Sequence, residues 1–183
     1  MIEIRALDAF TAAGLNQLAE PYTCHDTYRV VWQEGESGVR FELQRVPLET
    51  PQVRRHDHID EDWVRQYLLP AGFSYGAYDG KRWVGALIAE RRAWNDTLWV
   101  WEFMVAAAYR GQGIGRRLME QAAAAARAAG LRAIECETQN RNGNAIAVYR
   151  RLGFHLEGIN LFHYTETDYP DKDVAVFFKL HLI

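Results

Sequence analysis

The run Arg110-Gly111-Gln112-Gly113-Ile114-Gly115 sits between a β-like segment at 97–105 and an alanine-rich segment at 113–129 that stops at Gly130. Alanine is the strongest helix former, and a glycine just past the last turn is the usual helix stop, so 113–129 reads as a long helix. Its glycines fall at the helix N-terminus, where the first amides lack intrahelical acceptors and the dipole is positive. Without Cβ atoms in the way, a diphosphate can approach those amides closely. A glycine-rich turn that serves packing alone is the competing reading. Two familiar phosphate loops do not fit. A P-loop would end in Gly-Lys-Ser/Thr, but Arg116-Arg117 follow Gly115. A dinucleotide fingerprint would need a third glycine where Arg116 stands.

The rest of the chain supplies the strands around this helix. Residues 8–20 read as a weak helix interrupted by Gly14, and 28–33 and 39–46 as a hairpin about EGESG. Residues 60–69 read as a helix opened by acids and followed by Pro70, with Trp63, Tyr67 and Leu68 on one face. Strands are expected at 73–79, 82–91 and 97–105, with Asp79-Gly80 turning between the first two. After the long helix come a strand at 132–138, a helix at 143–151, and strands at 154–165 and 173–182. Antiparallel strands followed by strand–helix–strand–helix predict an α/β fold: one mixed, mostly antiparallel sheet with helices on both faces. No repeat or linker divides the chain, so residues 1–183 are expected to form one domain, with 28–46 as a hairpin elaboration.

Composition narrows the function. The 183 residues carry 21 Lys+Arg against 24 Asp+Glu, a net charge of −3, which argues against a nucleic-acid binder and leaves a cationic substrate open. No apolar run reaches the length of a membrane span, and MIEIRALDAF lacks the basic and apolar regions of a secretory signal. Two cysteines, Cys24 and Cys136, are too few for a disulfide framework. A cytoplasmic enzyme without membrane partners is the expectation. The oligomeric state stays open, a homodimer among the options.

Residues 98–154 resemble the core of the GNAT N-acetyltransferase superfamily. A strand ends in Phe103-Met104-Val105, followed by Arg110-x-x-Gly113-x-Gly115 at a helix start. A second strand at 132–138 precedes Asn142-x-x-Ala145-x-x-x-Tyr149-x-x-x-Gly153-Phe154. The resemblance implies acetyl-coenzyme A (acetyl-CoA) as cosubstrate, no metal, and a sheet splayed between the fourth and fifth core strands. It assigns the pantetheine arm to the main chain of Phe103, Met104 and Val105 and to Asn142. It assigns the pyrophosphate to Arg110, Gly111, Gln112, Gly113, Ile114 and Gly115, with Arg116 supplying charge. Tyr149 has the position of the general acid that protonates the leaving sulfur; a packed core tyrosine is the alternative. Trp101-Glu102-Phe103-Met104-Val105, Glu137-Thr138-Gln139 and 173–178 are similar to the streptothricin acetyltransferases, which acetylate an amine of a cationic antibiotic.

The base is read from charge placement. Glu102 lies in an otherwise apolar strand, and a carboxylate there is costly unless solvated or paired, so a role in deprotonating the amine is expected, with a surface-facing carboxylate on a half-exposed strand as the alternative. Glu135 and Glu137 alternate on the neighbouring strand and are candidates for substrate binding. The expected activity is acetyl transfer to a primary amine of a cationic small molecule. A protein N-terminal, polyamine or amino-acid acetyltransferase, or a non-catalytic acyl-CoA-binding module, are the alternatives. His56-Asp57-His58 with Asp60-Glu61-Asp62 imitates a metal cluster, yet the acids fall where a helix begins. Trp94, Trp99 and Trp101 read first as cross-strand packing and second as a ligand wall.

Overall fold

A computed structural model describes residues 1–55 and 59–182. In chain order the elements are β1 (Ile2–Ala6), α1 (Ala12–Leu18), β2 (Tyr22–Gly35), β3 (Gly38–Arg54) and α2 (Glu61–Trp63). A single π-helical turn, Val64–Leu68, continues α2. Then follow β4 (Tyr75–Asp79), β5 (Arg82–Arg92), β6 (Thr97–Val105), α3 (Ile114–Ala128), β7 (Ala133–Gln139), α4 (Gly143–Arg151), β8 (His155–Asn160) and β9 (Ala175–His181). The chain divides into two compact units: Met1–Pro21, Arg55–Cys136 and Leu180–Ile183 in the first, Tyr22–Arg54 and Glu137–Lys179 in the second.

In the first unit the strands neighbour one another in the order β1-β4-β5-β6-β7. All pairings are antiparallel except β6–β7, whose parallel ladder runs from Thr97↔Ala133 to Val100↔Cys136 and stops there. The two sheet faces carry different helices. Ala86 and Ile88 belong to one apolar cluster with Leu15 and Leu18 of α1 and Val64 and Leu68 of the π turn. Each large side chain in that cluster contributes roughly 1.5–3 kcal/mol by leaving water. On the other face α3 comes close enough that a Cβ on Gly85 would lie 3.3 Å from Leu118 Cδ1. Its buried residues Ile114, Leu118, Ala122 and Ala126 recur every four positions, which is the stripe a helix lays on a sheet. Gly130, at φ 72°, closes α3 with Leu131 N–H donating to Ala126 O and Gly130 N–H to Arg127 O. That paired arrangement is a Schellman stop.

The second unit is built on the β2–β3 hairpin, whose Val30 packs with Leu161 and Val174. Helix α4 lies against β2 at Gly143, where a Cβ would stand 2.1 Å from Asp26 Oδ1, so only glycine fits. β8 and β9 pair antiparallel.

Several elements differ from the sequence reading. β1 is an extra strand, and the hairpin runs well past 28–46 at both ends. The strand expected over 154–165 ends at Asn160. Beyond it, the amides of Tyr164 and Thr165 donate to Asp168, so the backbone turns instead of extending. In the π turn Leu69 N–H reaches Val64 O, and the wider turn buries Val64 and Leu68 while leaving Tyr67 59% exposed. Cys24 and Cys136 are both fully buried and are not joined in a disulfide. Among the described residues no helix is long and apolar enough to cross a membrane.

Candidate active site

The α1 face of the first unit is shaped by one irregularity in β6. Ile88 pairs with Glu102 and Ala89 with Val100, so Trp101 is an extra residue, a β-bulge. Along a regular strand Trp99 and Glu102 would point to opposite faces. The bulge puts both on the α1 side, where Glu102 stands opposite Ile88 and Trp99 opposite Glu90. Glu102 is 7% exposed on that face. Met104, paired with Ala86, follows it on the same side and packs on the α1 cluster. Phe103 and Val105 point the other way: a Cβ on Gly115 would meet the Phe103 ring at 3.2 Å and Val105 Cγ2 at 3.9 Å.

The glycine loop follows directly. Gly111 and Gly113 have φ of 76° and 77°, a left-handed backbone that side chains disfavour, and open space lies where their Cβ atoms would be. Gly113 is the N-cap of α3, and the first helical bond is Arg117 N–H to Gly113 O. The amides just inside this cap therefore face an uncluttered approach, which suits a diphosphate. Arg110 Nε donates to Val105 O at 2.9 Å, so this side chain braces the loop against the end of β6. Gln112 Nε2 likewise reaches Ala108 O at 3.3 Å. Arg116 is exposed beside the cap, whereas Arg117 donates to Ile2 O.

The second unit holds the other candidates. Asn142 caps α4, its Oδ1 accepting from Ala145 N at 3.1 Å, so Asn142-x-x-Ala145 also works as a helix start. Tyr149 is 8% exposed, with its ring centroid 5.6 Å from those of both Phe154 and Phe178. Glu137 accepts a hydrogen bond from the Tyr164 hydroxyl. Burial pushes the Glu137 carboxyl above the usual range, against the opposing effects of that bond and of His163. Burial and then Glu137 push the Tyr164 phenol up as well. Nothing in the sequence pointed to Tyr164, since its partner lies 27 residues away on another element.

Glu102, Phe103, Met104, Val105, residues 110–116 and Glu135 thus belong to the first unit, and Glu137, Asn142 and Tyr149 to the second. Among the described residues no group of three or more His, Cys, Asp or Glu forms a metal cluster. Asp60 caps α2 by accepting from Trp63 N, and His56-Asp57-His58 lie outside the described residues.

Residues 39–154 match the model of the acetyltransferase (GNAT) family. The chain belongs to this family. As a GNAT acetyltransferase it is an enzyme that uses acetyl-CoA to acetylate nitrogen. It is 43% identical over 151 residues to the streptothricin acetyltransferase of Streptomyces lavendulae, an alignment covering 77% of each chain. The crystal structure of nourseothricin acetyltransferase is 26% identical with a TM-score of 0.77, covering 100% of this acetyltransferase and 99% of that chain. A Bacillus anthracis structure in complex with acetyl coenzyme A has the same fold, at TM-score 0.74 and 20% identity over 99% of both chains. The mixed, mostly antiparallel sheet, whose parallel β6–β7 ladder stops at Val100↔Cys136, agrees with the fold the motifs implied.

Proposed function

We propose that this enzyme acetylates a primary amine of a cationic, streptothricin-like small molecule by direct attack. The observation that carries this reading is the 43% identity to a streptothricin acetyltransferase across three quarters of both chains. The buried carboxylate of Glu102, on the face that carries Met104 and α1, supports it.

Bound acetyl-CoA supplies the acetyl group as a thioester. The open amides at Gly113, Ile114 and Gly115 hold the pyrophosphate, and Arg116 adds positive charge beside them. The main chain of Phe103, Met104 and Val105 holds the pantetheine arm together with Asn142. The Val105 N–H polarises the acyl carbonyl as an oxyanion-hole donor. Amines have pKa values near about 10.4, so the acceptor arrives as an ammonium and must lose a proton. Glu102 accepts that proton, directly or through water. Tyr149 donates its phenolic proton to the departing sulfur. Glu135 and Glu137 favour cations over neutral amines.

Thiol release from acetyl-CoA, followed with a thiol-reactive dye across streptothricin, spermidine and a peptide N-terminus, tests the proposal. The expected result is a kcat/KM for streptothricin at least about 100-fold above the others, a difference of roughly 3 kcal/mol in transition-state binding. Turnover confined to spermidine or the peptide would replace the acceptor class. Binding of acetyl-CoA without release to any amine would indicate an acyl-CoA-binding module.

A further inference from the structure

The bulge in β6 does more than turn Glu102 toward α1. It also gathers aromatic and acidic side chains beside it. Trp99 lies opposite Glu90 of β5 on one side and Glu135 of β7 on the other. The Trp101 ring meets Trp99 at 5.9 Å and Trp63 at 5.0 Å, both edge to face. Its indole Nε1 donates to Glu90 Oε2 at 2.9 Å. The Arg92 guanidinium lies 3.7 Å from the centre of the Trp99 ring, so this face already holds one cation on an indole. Burial lowers the Arg92 pKa, while the charges of Glu90 and Glu135 oppose that shift.

Cross-strand packing accounts for Trp99, which is 8% exposed. It does not account for Trp101. That ring is held by two tryptophans and a carboxylate, yet stays 42% exposed. An ordered indole open to solvent, with carboxylates around it, is the chemistry that recognises organic cations. Among the described residues, the carboxylates of Glu90, Glu102 and Glu135 share this face with the Arg92 guanidinium.

We propose that Trp101, anchored by Glu90 and Trp63, seats a second positive group of the acceptor, remote from the nitrogen that reacts at Glu102. The enzyme then selects acceptors with at least two cationic centres. This specificity rests on the reading of Glu102 as the acceptor-side carboxylate. Trp101 touches the acceptor but takes no part in proton or acyl transfer.

Hexamethonium, with two quaternary ammonium groups and no nitrogen to acetylate, probes the surface without turnover; hexyltrimethylammonium is its singly charged match. Calorimetry on the full chain without acetyl-CoA should show hexamethonium binding more tightly, with Trp101→Leu weakening it about 3- to 30-fold and Trp101→Phe largely restoring it. Glu90→Gln should weaken it and flatten its salt dependence. In streptothricin turnover the Trp101→Leu effect should fall on KM and not on kcat. Circular dichroism and a melting temperature close to wild type establish that the exposed substitution leaves the fold intact. Equal affinity of wild type and Trp101→Leu for hexamethonium, or equal affinity of wild type for the two probes, overturns the proposal whichever amine is acetylated. Loss of binding in Trp101→Leu sustains it even if streptothricin is not turned over, in which case the acceptor assignment falls alone.

Discussion

Tyr149 and Glu102 are both buried, which separates their chemistry from simple surface charge. Tyr149→Phe keeps the ring between Phe154 and Phe178 and removes only the hydroxyl, so it isolates proton donation from packing. It is expected to lower kcat by roughly 10²–10⁴-fold with little change in acetyl-CoA affinity. Steady-state kinetics showing wild-type turnover would return Tyr149 to the core. For Glu102, the diagnostic is a pH profile. Glu102→Gln retains shape but cannot accept a proton, so kcat/KM should drop at neutral pH and partly recover toward pH 9.5 as the amine deprotonates by itself. A rise in KM with unchanged kcat would make Glu102 an attractor of cations instead of a base. Its candidacy was legible because a carboxylate in an apolar strand is costly. Its direction was not: period-two alternation sets Glu102 against Trp99, and only the Trp101 bulge brings them to one side.

Among the elements, β6 and α4 begin and end at the expected residues, since each is bounded by strong signals. β6 follows the Asn95-Asp96 turn, and α4 has Asn142 as its cap. β3 was harder to read. Pro47 and Pro51 argue against a continuing strand, yet proline is tolerated where a strand pairs on one side only, as β3 does with β2. β1 escaped notice because five residues carry too little alternation. The glycine loop gives the sharpest element-scale test. With acetyl-CoA at about 100 times its Kd, the melting temperature should rise by about 5–10 °C. Gly113→Val, at φ 77° and in the open approach to the α3 amides, should abolish most of that rise. A folded variant with an undiminished shift would move the pyrophosphate elsewhere. Asn142→Ala, which removes the bond to Ala145 N, should cost about 1 kcal/mol in urea unfolding.

At the scale of the whole molecule, stability should carry the imprint of Glu137. Its carboxyl is raised by burial, so the folded state binds that proton more tightly than the unfolded state. Its contribution is therefore full below the unfolded carboxylate pKa, near about 4.3, and is lost as pH rises through the folded value. Urea midpoints of Glu137→Gln should gain on wild type between pH 4 and 7; parallel curves would show that the carboxyl is not strained. The family and its cosubstrate were legible over 98–154, where the helix start, cap and tyrosine fall in a fixed order. The Trp101 surface was not, because Trp63, Glu90 and Trp101 come together through pairing and folding and not through spacing. The burial of Cys24 and Cys136 has a practical side. A disulfide dye added to the native enzyme should show a flat baseline before acceptor is added, and denaturant should release a step of two thiols per chain. Colour in a turnover assay then counts product alone, and the size of the denaturant step gives the total concentration of chains in the same cuvette.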